Sequence, residues 1–463
     1  MRTEGRGLRS VDLGGNQQCG QEPDDMIEEL KRIGELVNRH KGQKAQNLAS
    51  YINADTLFAI HLDMDGGKAP GIDGVRKEDY SEGVAEKLDD LVTRLKRGSY
   101  KPNDSRRVYI DKPGSNKKRP LGISCYEDKL VEKNVAMLLE IVYEPKFKDF
   151  SFGFRPGRNC HQAVRKLMDE FWSRKVNYVV EADIRSFFDT LNHDWLIEFL
   201  EHDIADKKFI DIIRKQLKAG IMEEGKHLDK EQGTPQGGCA SAILANVYLH
   251  YVLDCWFEGT VRKGGYRGEA YLTRYADDFV ACFQHKDDAE KFYSQLNERM
   301  QKFGLELAGE KTRILEFGRF AADNRRERGE GKPETFSFLG FTLYCAVSRN
   351  GNFCVKVKTD RKKMRSKLKK LNVWLKENRH WSKPHELAAR LNKSLTGYYC
   401  YYAVSDNIAS VRQFRHEVKK LLFKWLNRRS QRHSYTWSMF KDFIARVPIV
   451  TPRIVHSLYR TAN

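Results

Sequence analysis

The sequence has no Cys-x-x-Cys pair and no cysteine and histidine cluster with zinc spacing, although it contains nine cysteines. Reduced thiols are therefore expected, rather than a structural metal or a disulfide framework. No apolar run approaches the roughly 18 residues of a membrane span, and the N-terminus has no hydrophobic signal core. These absences predict a chain of the cytosol with no membrane partner.

Acidic residues are scarce in one region only. Residues 361–463 contain 24 lysines and arginines but only 5 aspartates and glutamates, so the whole net charge of +19 lies there and the rest of the chain is neutral. A basic module attached to a balanced body favours a polyanion, and nucleic acid first, as the partner. A basic face that is merely solvated is the alternative.

The length of 463 residues is enough for two or three domains. Residues 1–45, which begin with a segment rich in Gly, Arg and Gln, are predicted to form a mobile extension and lead-in. Strand-like segments at Arg107–Asp111 and Tyr178–Ile184 alternate with helix-like segments at Lys129–Val142 and Ser241–Trp256. This mixture predicts an α+β fold.

Beyond residue 358 the apolar residues recur at helical spacing. Three stripes are present: Met364, Leu368, Leu371 and Leu375; Leu387, Leu391, Leu395, Tyr398 and Tyr402; and Val411, Phe414, Val418, Leu421 or Leu422, and Trp425. Asp360 is a candidate N-cap for the first of them. The pattern predicts a bundle of three helices whose outer faces carry lysine and arginine.

Two acidic residues, Asp277 and Asp278, separate the predicted strands Tyr271–Ala276 and Phe279–Phe283, and Asp183 ends an earlier apolar strand. An Asp-Asp pair is usually a solvated turn. Carboxylates at the ends of adjacent strands can instead converge on two Mg²⁺ ions, roughly 3.5–4 Å apart, that act on a phosphoryl group. By itself this reasoning does not separate a polymerase from a nuclease.

The segment Tyr275–Phe279 resembles the Y-x-D-D box of reverse transcriptases, and the other segments of that family accompany it in order. These segments are Lys68–Val75, Lys118–Ile123, Ser151–Arg158, Glu181–Leu191, Gly233–Gly238, Gly304–Thr312 and Phe338–Phe341. Their residues are most similar to those of the group II intron reverse transcriptase and maturase branch of bacterial type. The similarity extends from about residue 45 nearly to the C-terminus.

The resemblance implies a right-hand polymerase. Fingers and palm would occupy residues 46–355, with an antiparallel palm sheet. An all-α basic thumb or maturase-specific bundle would follow over 356–445, and 446–463 would form a short basic tail. The chain lacks, after about residue 445, a Cys/His-rich segment resembling the family's endonuclease, so target priming would use a 3′ end made elsewhere.

The resemblance also assigns the catalytic groups. Asp183, Asp277 and Asp278 would be catalytic and would bind two Mg²⁺ ions, with Mn²⁺ as a substitute. The Ile184 carbonyl would supply a further oxygen. Lys311 would protonate the pyrophosphate leaving group, with a surface lysine as the alternative.

Further residues are implied to contact the incoming deoxynucleoside triphosphate. They are Lys117, Arg119, Arg185, Ser186, Phe187, Phe188 and Gln236. Phe188 falls where the family places the aromatic ring that excludes a 2′-hydroxyl, and Gln236 falls where a glutamine packs beside the nucleotide. A core phenylalanine and a plain tight turn are the respective alternatives.

The remaining implied contacts are to nucleic acid strands. Arg155, Arg158, Phe338, Leu339 and Gly340 would contact template and primer, with buried packing as the alternative for the aromatic residues. Arg428, Arg429 and Arg432 would contact intron RNA, with general surface charge as the alternative.

The sequence therefore predicts an RNA-directed DNA polymerase that takes an RNA template, a DNA primer and deoxynucleoside triphosphates. It is also expected to bind a group II intron RNA and aid its splicing and mobility. The alternatives are an RNA-binding splicing cofactor with incidental polymerase activity, or a stand-alone host reverse transcriptase in DNA repair. A metal nuclease would leave the segments Pro235–Gly237 and Phe338–Gly340 unexplained. The oligomeric state is open between monomer and homodimer.

Overall fold

The computed structural model describes residues 44–111, 118–223, 226–228, 232–234, 237–429 and 434–459, with the backbone alone for 226–228. The predicted mobile extension lies outside these ranges except for residues 44 and 45. Lys117, Gln236 and Arg432 also lie outside the described residues, so their predicted roles stay predictions.

The strands and helices in the described ranges alternate along the chain. The strands are β1 (Ser105–Asp111), β2 (Lys118–Ile123), β3 (Tyr178–Ala182), β4 (Ile221–Glu223), β5 (Lys226–Leu228), β6 (Ala270–Tyr275), β7 (Asp278–Phe283), β8 (Arg313–Glu316), β9 (Phe336–Phe338), β10 (Phe341–Val347) and β11 (Phe353–Thr359). The helices are α1 (Ala54–Asp63), α2 (Lys77–Ser81), α3 (Val84–Arg97), α4 (Tyr126–Tyr143), α5 (Cys160–Ser173), α6 (Phe187–Thr190), α7 (His193–Asp203), α8 (Lys207–Lys218), α9 (Ser241–Leu249), α10 (Lys286–Lys302), α11 (Ala321–Glu327), α12 (Arg361–Asn378), α13 (Pro384–Tyr402), α14 (Ile408–Leu426) and α15 (Trp437–Arg446). The predicted α+β class is confirmed.

The central sheet has the strand order β6-β7-β3-β8, and each neighbouring pair is antiparallel. Successive residues of its strands enter different cores, since Val179 and Val280 pack on one face and Val180 and Ala281 on the other. Both faces are covered, so these strands read as continuous apolar runs rather than as an alternating pattern.

Two smaller sheets flank the central one. One has the order β2-β1-β4-β5, in which β1 and β4 run parallel. The other has the order β11-β10-β9 and is antiparallel. Its residues Phe336, Phe341 and Val357 share a buried cluster with Val280 and Phe317. The β9–β11 sheet therefore packs on one face of the central sheet.

The helix predicted over Ser241–Trp256 is present but is not regular. It begins as α9 and then passes through a π-helical turn at His250–Asp254 and another at Phe257–Val261. A π turn has wider hydrogen-bond spacing than an α turn, so it changes the direction in which later side chains project. Asp254, at the end of the first π turn, is fully buried.

The C-terminal bundle consists of α12 to α15. The three predicted stripes are confirmed as core, and the Asp360 side chain accepts from the Lys363 amide at 2.9 Å as the predicted cap. The prediction of three helices is wrong, because Trp437–Arg446 forms a fourth helix, capped by Thr436. Phe440 and Phe443 of that helix are buried in the same cluster, a spacing that the sequence interpretation overlooked.

The last described residues, 447–459, lie outside the helices and strands and bond to the bundle. The Val455 amide donates to the Ala403 carbonyl at 2.7 Å, and Val404 and His456 form a parallel bridge. Leu458 is buried in the cluster that contains the β9–β11 sheet. This segment therefore joins the bundle to the layer beside the central sheet.

The sequence predicts reduced cysteines and no membrane-spanning segment. The eight cysteines among them are all free thiols. In the described ranges, no helix combines the length and the apolar character needed to cross a bilayer.

Candidate active site

The acidic turn, which we define as Tyr275–Asp278, joins β6 to β7. Tyr275 pairs with Asp278, so Ala276 and Asp277 form a two-residue hairpin loop. Ala276 has a φ of +56°, the left-handed conformation that the favoured two-residue hairpin loops require. The predicted hairpin with aspartates at its tip is confirmed.

Asp183 lies directly beside this turn because β3 and β7 are neighbours. Ala182, the last residue of β3, pairs with Phe279. The residue that follows, Asp183, is therefore level with Asp278. The Ala308 amide donates to the Asp183 carbonyl at 2.8 Å, and the Arg185 amide donates to the Glu306 carbonyl at 2.8 Å. These two bonds anchor the backbone on either side of Ile184 and leave its carbonyl out of the pairing.

The electrostatics of Asp278 show that the three carboxyl groups are close enough to interact. Asp278 is an exposed residue, but the protein packed around its carboxyl group raises the pKa to about 6, and the charges of Asp277 and Asp183 add to this rise. Lys311 and Lys363 act in the opposite direction. Accumulated negative charge of this kind is relieved by binding a cation.

A lysine occupies part of this acidic cluster. Lys311 Nζ donates to Asp183 Oδ2, and this hydrogen bond raises the pKa of the Lys311 ammonium group. Among the described residues, no three His, Cys, Asp or Glu side chains converge as a ready metal cage. The carboxylates are therefore gathered at one strand edge, with the lysine neutralising Asp183.

The predicted nucleotide contacts fall into exposed and buried groups. Arg119, which pairs with Ile110 on β1, is exposed, as are Arg185 and Ser186. Phe188 is half-buried. Phe187 is 2% exposed and packs against the ring of Tyr248. We therefore correct the prediction for Phe187, because a ring in the core cannot contact a nucleotide.

The two arginines predicted to contact the template differ in the same way. Arg155 has a side chain that is 3% exposed and donates to both Glu144 carboxylate oxygens and to the carbonyls of Lys148 and Ser151. These bonds occupy the guanidinium group within the protein, so Arg155 supports its loop rather than a template strand. Arg158 lies nearer the surface, where it bonds to Asp149.

The segment predicted to grip the primer is the tight turn between β9 and β10. Leu339 has a φ of +50° and Gly340 a φ of +79°, and Phe338 is buried. Tyr401 Oη donates to the Leu339 carbonyl at 2.7 Å. A Cβ at Gly340 would lie 2.8 Å from Tyr402 Oη, so this turn is fitted closely against α13.

The bundle presents its basic residues with aromatic rings. Arg428 is exposed and lies over the ring of Trp425, with its Cζ at 5.6 Å from the centroid. Arg429 is half-buried. Trp381 and Trp437 are 89% and 53% exposed. Exposed arginines suit contact with phosphates, and exposed rings such as those of Trp381 and Trp437 suit stacking with bases.

The sequence interpretation missed three buried residues that lie under the acidic turn. Arg274 and Asp254 form an ion pair with both side chains at 0% exposure. Asn246 accepts from Arg274 at 3.1 Å. The available signal was an arginine in the middle of the apolar strand that leads into the box, with an aspartate in an otherwise apolar helix.

Comparison with known proteins identifies several relatives. A model of the family described as "Reverse transcriptase (RNA-dependent DNA polymerase)" matches residues 110–343, just over half of the chain. The chain is 37% identical over 223 residues to the group II intron-encoded protein LtrA of Lactococcus lactis subsp. cremoris, which is 48% of this chain and 37% of that protein. It is 33% identical over 248 residues to Protein YkfC of Escherichia coli, or 48% of this chain and 65% of that protein.

A relative from a plant is matched over a shorter stretch. Nuclear intron maturase 2, mitochondrial, of Arabidopsis thaliana is 34% identical over 97 residues, or 21% of this chain and 13% of that protein. The chain spans 37% of the length of LtrA and 65% of that of YkfC. The resemblance predicted from the motifs is confirmed.

Proposed function

The chain belongs to the reverse transcriptase family, and from this premise we propose that it is an RNA-directed DNA polymerase with fingers and palm over residues 46–355. Residues 356–445 would form the thumb or maturase-specific domain, and 446–463 a C-terminal segment. An RNA template, a DNA primer and deoxynucleoside triphosphates would be its substrates.

The observation that carries this proposal is the meeting of three aspartates at one edge of the central sheet. Asp277 and Asp278 lie in the hairpin turn, and Asp183 directly follows the neighbouring strand β3. The pKa of Asp278, raised to about 6 by the surrounding protein and by the other two carboxylates, supports their proximity.

Reverse transcriptases use divalent metal ions, and the chemistry of the donors here fits such ions. Asp183, Asp277 and Asp278 would hold two Mg²⁺ ions, with Mn²⁺ as a substitute, and the Ile184 carbonyl would add an oxygen. When bound, the ions would activate the primer 3′-hydroxyl and neutralise charge on the leaving group. Lys311 already satisfies Asp183 with a positive charge, so the ammonium group and a metal ion would compete for the same carboxylate.

The residues around this edge have proposed roles toward the substrates. Arg119 and Arg185 are exposed cations that would meet the triphosphate, with Ser186 beside them. Phe188 is half-buried and would support the sugar. Lys311, held protonated beside Asp183, would donate a proton to the departing pyrophosphate.

Other residues would hold the strands. Arg158 would contact the template. Leu339 and Gly340 would lie at the primer end, with Phe338 anchoring their turn in the core. Arg428 and Arg429 would contact structured RNA.

We further propose that this RNA is a group II intron whose splicing and mobility the protein aids. The support is the similarity to LtrA, which is named as a group II intron-encoded protein, together with the net charge of the last 103 residues. Because the bundle is the basic region, it would carry most of the affinity for this RNA.

The proposal is tested by primer extension on an RNA template with deoxynucleotides and Mg²⁺. We expect extension that stops when the metal is chelated and resumes when Mg²⁺ is added back. Ribonucleotides should extend poorly if Phe188 has its proposed role. Tight RNA binding without any extension, on several templates and with Mn²⁺ as well, would instead favour a splicing cofactor.

A further inference from the structure

Arg274 is a fully buried arginine one residue before the acidic turn. Its side chain and that of Asp254 are both 0% exposed. Arg274 Nε donates to Asp254 Oδ1 at 2.7 Å and Nη2 donates to Oδ2 at 2.5 Å. Nη1 donates to Asn246 Oδ1 and to the Ala276 carbonyl, each at 3.1 Å. The guanidinium group thus connects the helix of Asp254 and Asn246 to the backbone of the turn.

A second connection reaches the turn through Gly153. Asn246 Nδ2 donates to the Gly153 carbonyl at 2.7 Å. Gly153 lies so close to the turn that an added Cβ would be 2.3 Å from the Ala276 nitrogen. The backbone of Arg274 also bonds to this loop, because its amide donates to the Phe150 carbonyl at 2.8 Å and its carbonyl accepts from Phe152 at 2.9 Å.

The turn that these groups hold is not a relaxed one. Ala276 has a φ of +56°, and a left-handed conformation is unfavourable for a residue other than glycine. Such a conformation persists only where its surroundings determine it. The hydrogen bond to the Ala276 carbonyl and the close backbone of Gly153 are the surroundings that do so here.

Stability alone does not account for the buried ion pair. Replacing such a pair with apolar residues of similar volume is often neutral or stabilising, because charged groups lose their hydration on burial. Asp254 also closes a π-helical turn of its helix. π turns of this kind occur frequently at functional sites.

We propose that Arg274, Asp254 and Asn246 form a positioning network that fixes the acidic turn, so that Asp277 and Asp278 face Asp183 in the arrangement that binds the metal ions. The proposal rests on the polymerase function proposed above. None of the three residues faces the substrates, so the network would act through the two aspartates of the turn.

The double variant Arg274→Met/Asp254→Leu distinguishes an effect on the position of Asp277 and Asp278 from an effect on the stability of the fold. This change removes both charges together, so neither is left buried without a partner, and the melting temperature should stay close to that of the wild type. We expect kcat for primer extension to fall by about 10²-fold, with the KM for deoxynucleotide unchanged. Mn²⁺ binding to the folded protein, measured by electron paramagnetic resonance without substrate, should weaken.

The control is Lys146→Met/Asp203→Leu, which removes a partly buried ion pair elsewhere in the protein, next to Tyr251 and His202. This control should keep the wild-type kcat and Mn²⁺ affinity. If the double variant at Arg274 does not fold, Asn246→Ala replaces it, because it removes the link to Gly153 and leaves the ion pair intact. It should lower kcat and Mn²⁺ affinity in the same sense.

A folded variant with wild-type kcat and wild-type Mn²⁺ affinity would overturn the network. Equal losses in the Lys146 control would also overturn it, because the effect would then be general. If the wild type itself does not extend a primer, the polymerase function fails, but the comparison of Mn²⁺ affinities still decides whether these residues position the aspartates.

Discussion

Arg274 and Arg428 carry the same guanidinium group in opposite settings. Arg274 is fully buried, with Asp254, Asn246 and the Ala276 carbonyl as its partners. Arg428 is exposed over the ring of Trp425. The first arginine uses its charge to hold parts of the chain in place, whereas the second presents its charge to solvent or to a partner.

The same difference separates the body, residues 44–360, from the C-terminal bundle. The body contains ion pairs that are fully or partly buried, among them Arg274 with Asp254 and Arg155 with Glu144. Within the described part of the bundle, one ion pair is present, between Lys420 and Glu417. With 24 basic and 5 acidic residues after residue 360, most bundle cations have no carboxylate to pair with. The comparison teaches that catalysis and RNA affinity should be separable by mutation.

The largest expected effect is that of Asp277→Ala. We expect primer extension to fall by at least about 10³-fold, because the substitution removes a group that stabilises charge in the reaction. RNA binding, measured by filter binding, should be unchanged. A parallel loss of RNA binding would contradict the separation of the two regions.

The next effect concerns Arg155, whose charge is internal. Arg155→Met should lower the free energy of unfolding by about 2–3 kcal/mol, because Glu144 and two carbonyls lose their donors. Denaturant unfolding measures this change, and the nearer-surface Arg158→Met is the matched control with a smaller effect. An unchanged free energy of unfolding together with weaker template binding would show that Arg155 contacts the template.

A buried carboxyl group in the body predicts a pH dependence. Burial raises the pKa of Glu170 from an ordinary 4.5 to about 7, although Lys166 lies at 3.1 Å. The folded state therefore binds this proton more tightly than the unfolded state, so stability falls as the pH rises from about 4.5 through about 7. Glu170→Gln should flatten this dependence and stabilise the protein at pH 8 by up to about 3 kcal/mol.

Thermal unfolding between pH 4.5 and pH 8 measures that difference, with the exposed Glu298→Gln as the control. A Glu170→Gln variant with the wild-type pH profile would show that Glu170 is ionised in the folded protein at neutral pH. Glu170 would then be a further buried charge of the body, paired with Lys166.

The smallest expected effect is that of the double charge reversal Arg428→Glu/Arg429→Glu. It should weaken RNA binding and lower the slope of log affinity against log salt by about 2, since each lost phosphate contact removes roughly 0.7–0.9. Stability should change little. Lys420→Glu, at a cation that is already paired with Glu417, should lower the slope less. An unchanged slope in the double variant would remove both arginines from the RNA contacts.

The sequence predicted the features that depend on local pattern. The acidic hairpin, the Asp360 cap and the three apolar stripes of the bundle are all present. Each follows from spacing or from a residue type that satisfies nearby backbone groups. From the sequence, Asp183 could lie beside the turn only if its strand were a neighbour of the hairpin. The register of β3 with β7 shows that the two strands are neighbours.

The features that were missed depend on contacts between distant segments. Arg274 and Asp254 lie on different elements, and Asp254 closes a π turn that local patterns do not predict. Arg155 and Phe187 were placed at the substrates by their motifs, but Glu144 and Tyr248 draw them into the protein. A motif identifies a segment, and it does not show which of its side chains point outward.

The measurement that tests the separation of the two regions most directly is one experiment with three proteins: the wild type, Asp277→Ala and Arg428→Glu/Arg429→Glu. Primer extension and RNA affinity are followed over a range of salt and RNA concentrations. We predict that Asp277→Ala binds RNA normally but does not extend, and that the bundle variant binds more weakly but extends at the wild-type rate when RNA is saturating. A bundle variant that stays slow at saturating RNA, or an Asp277→Ala protein that extends, would contradict it.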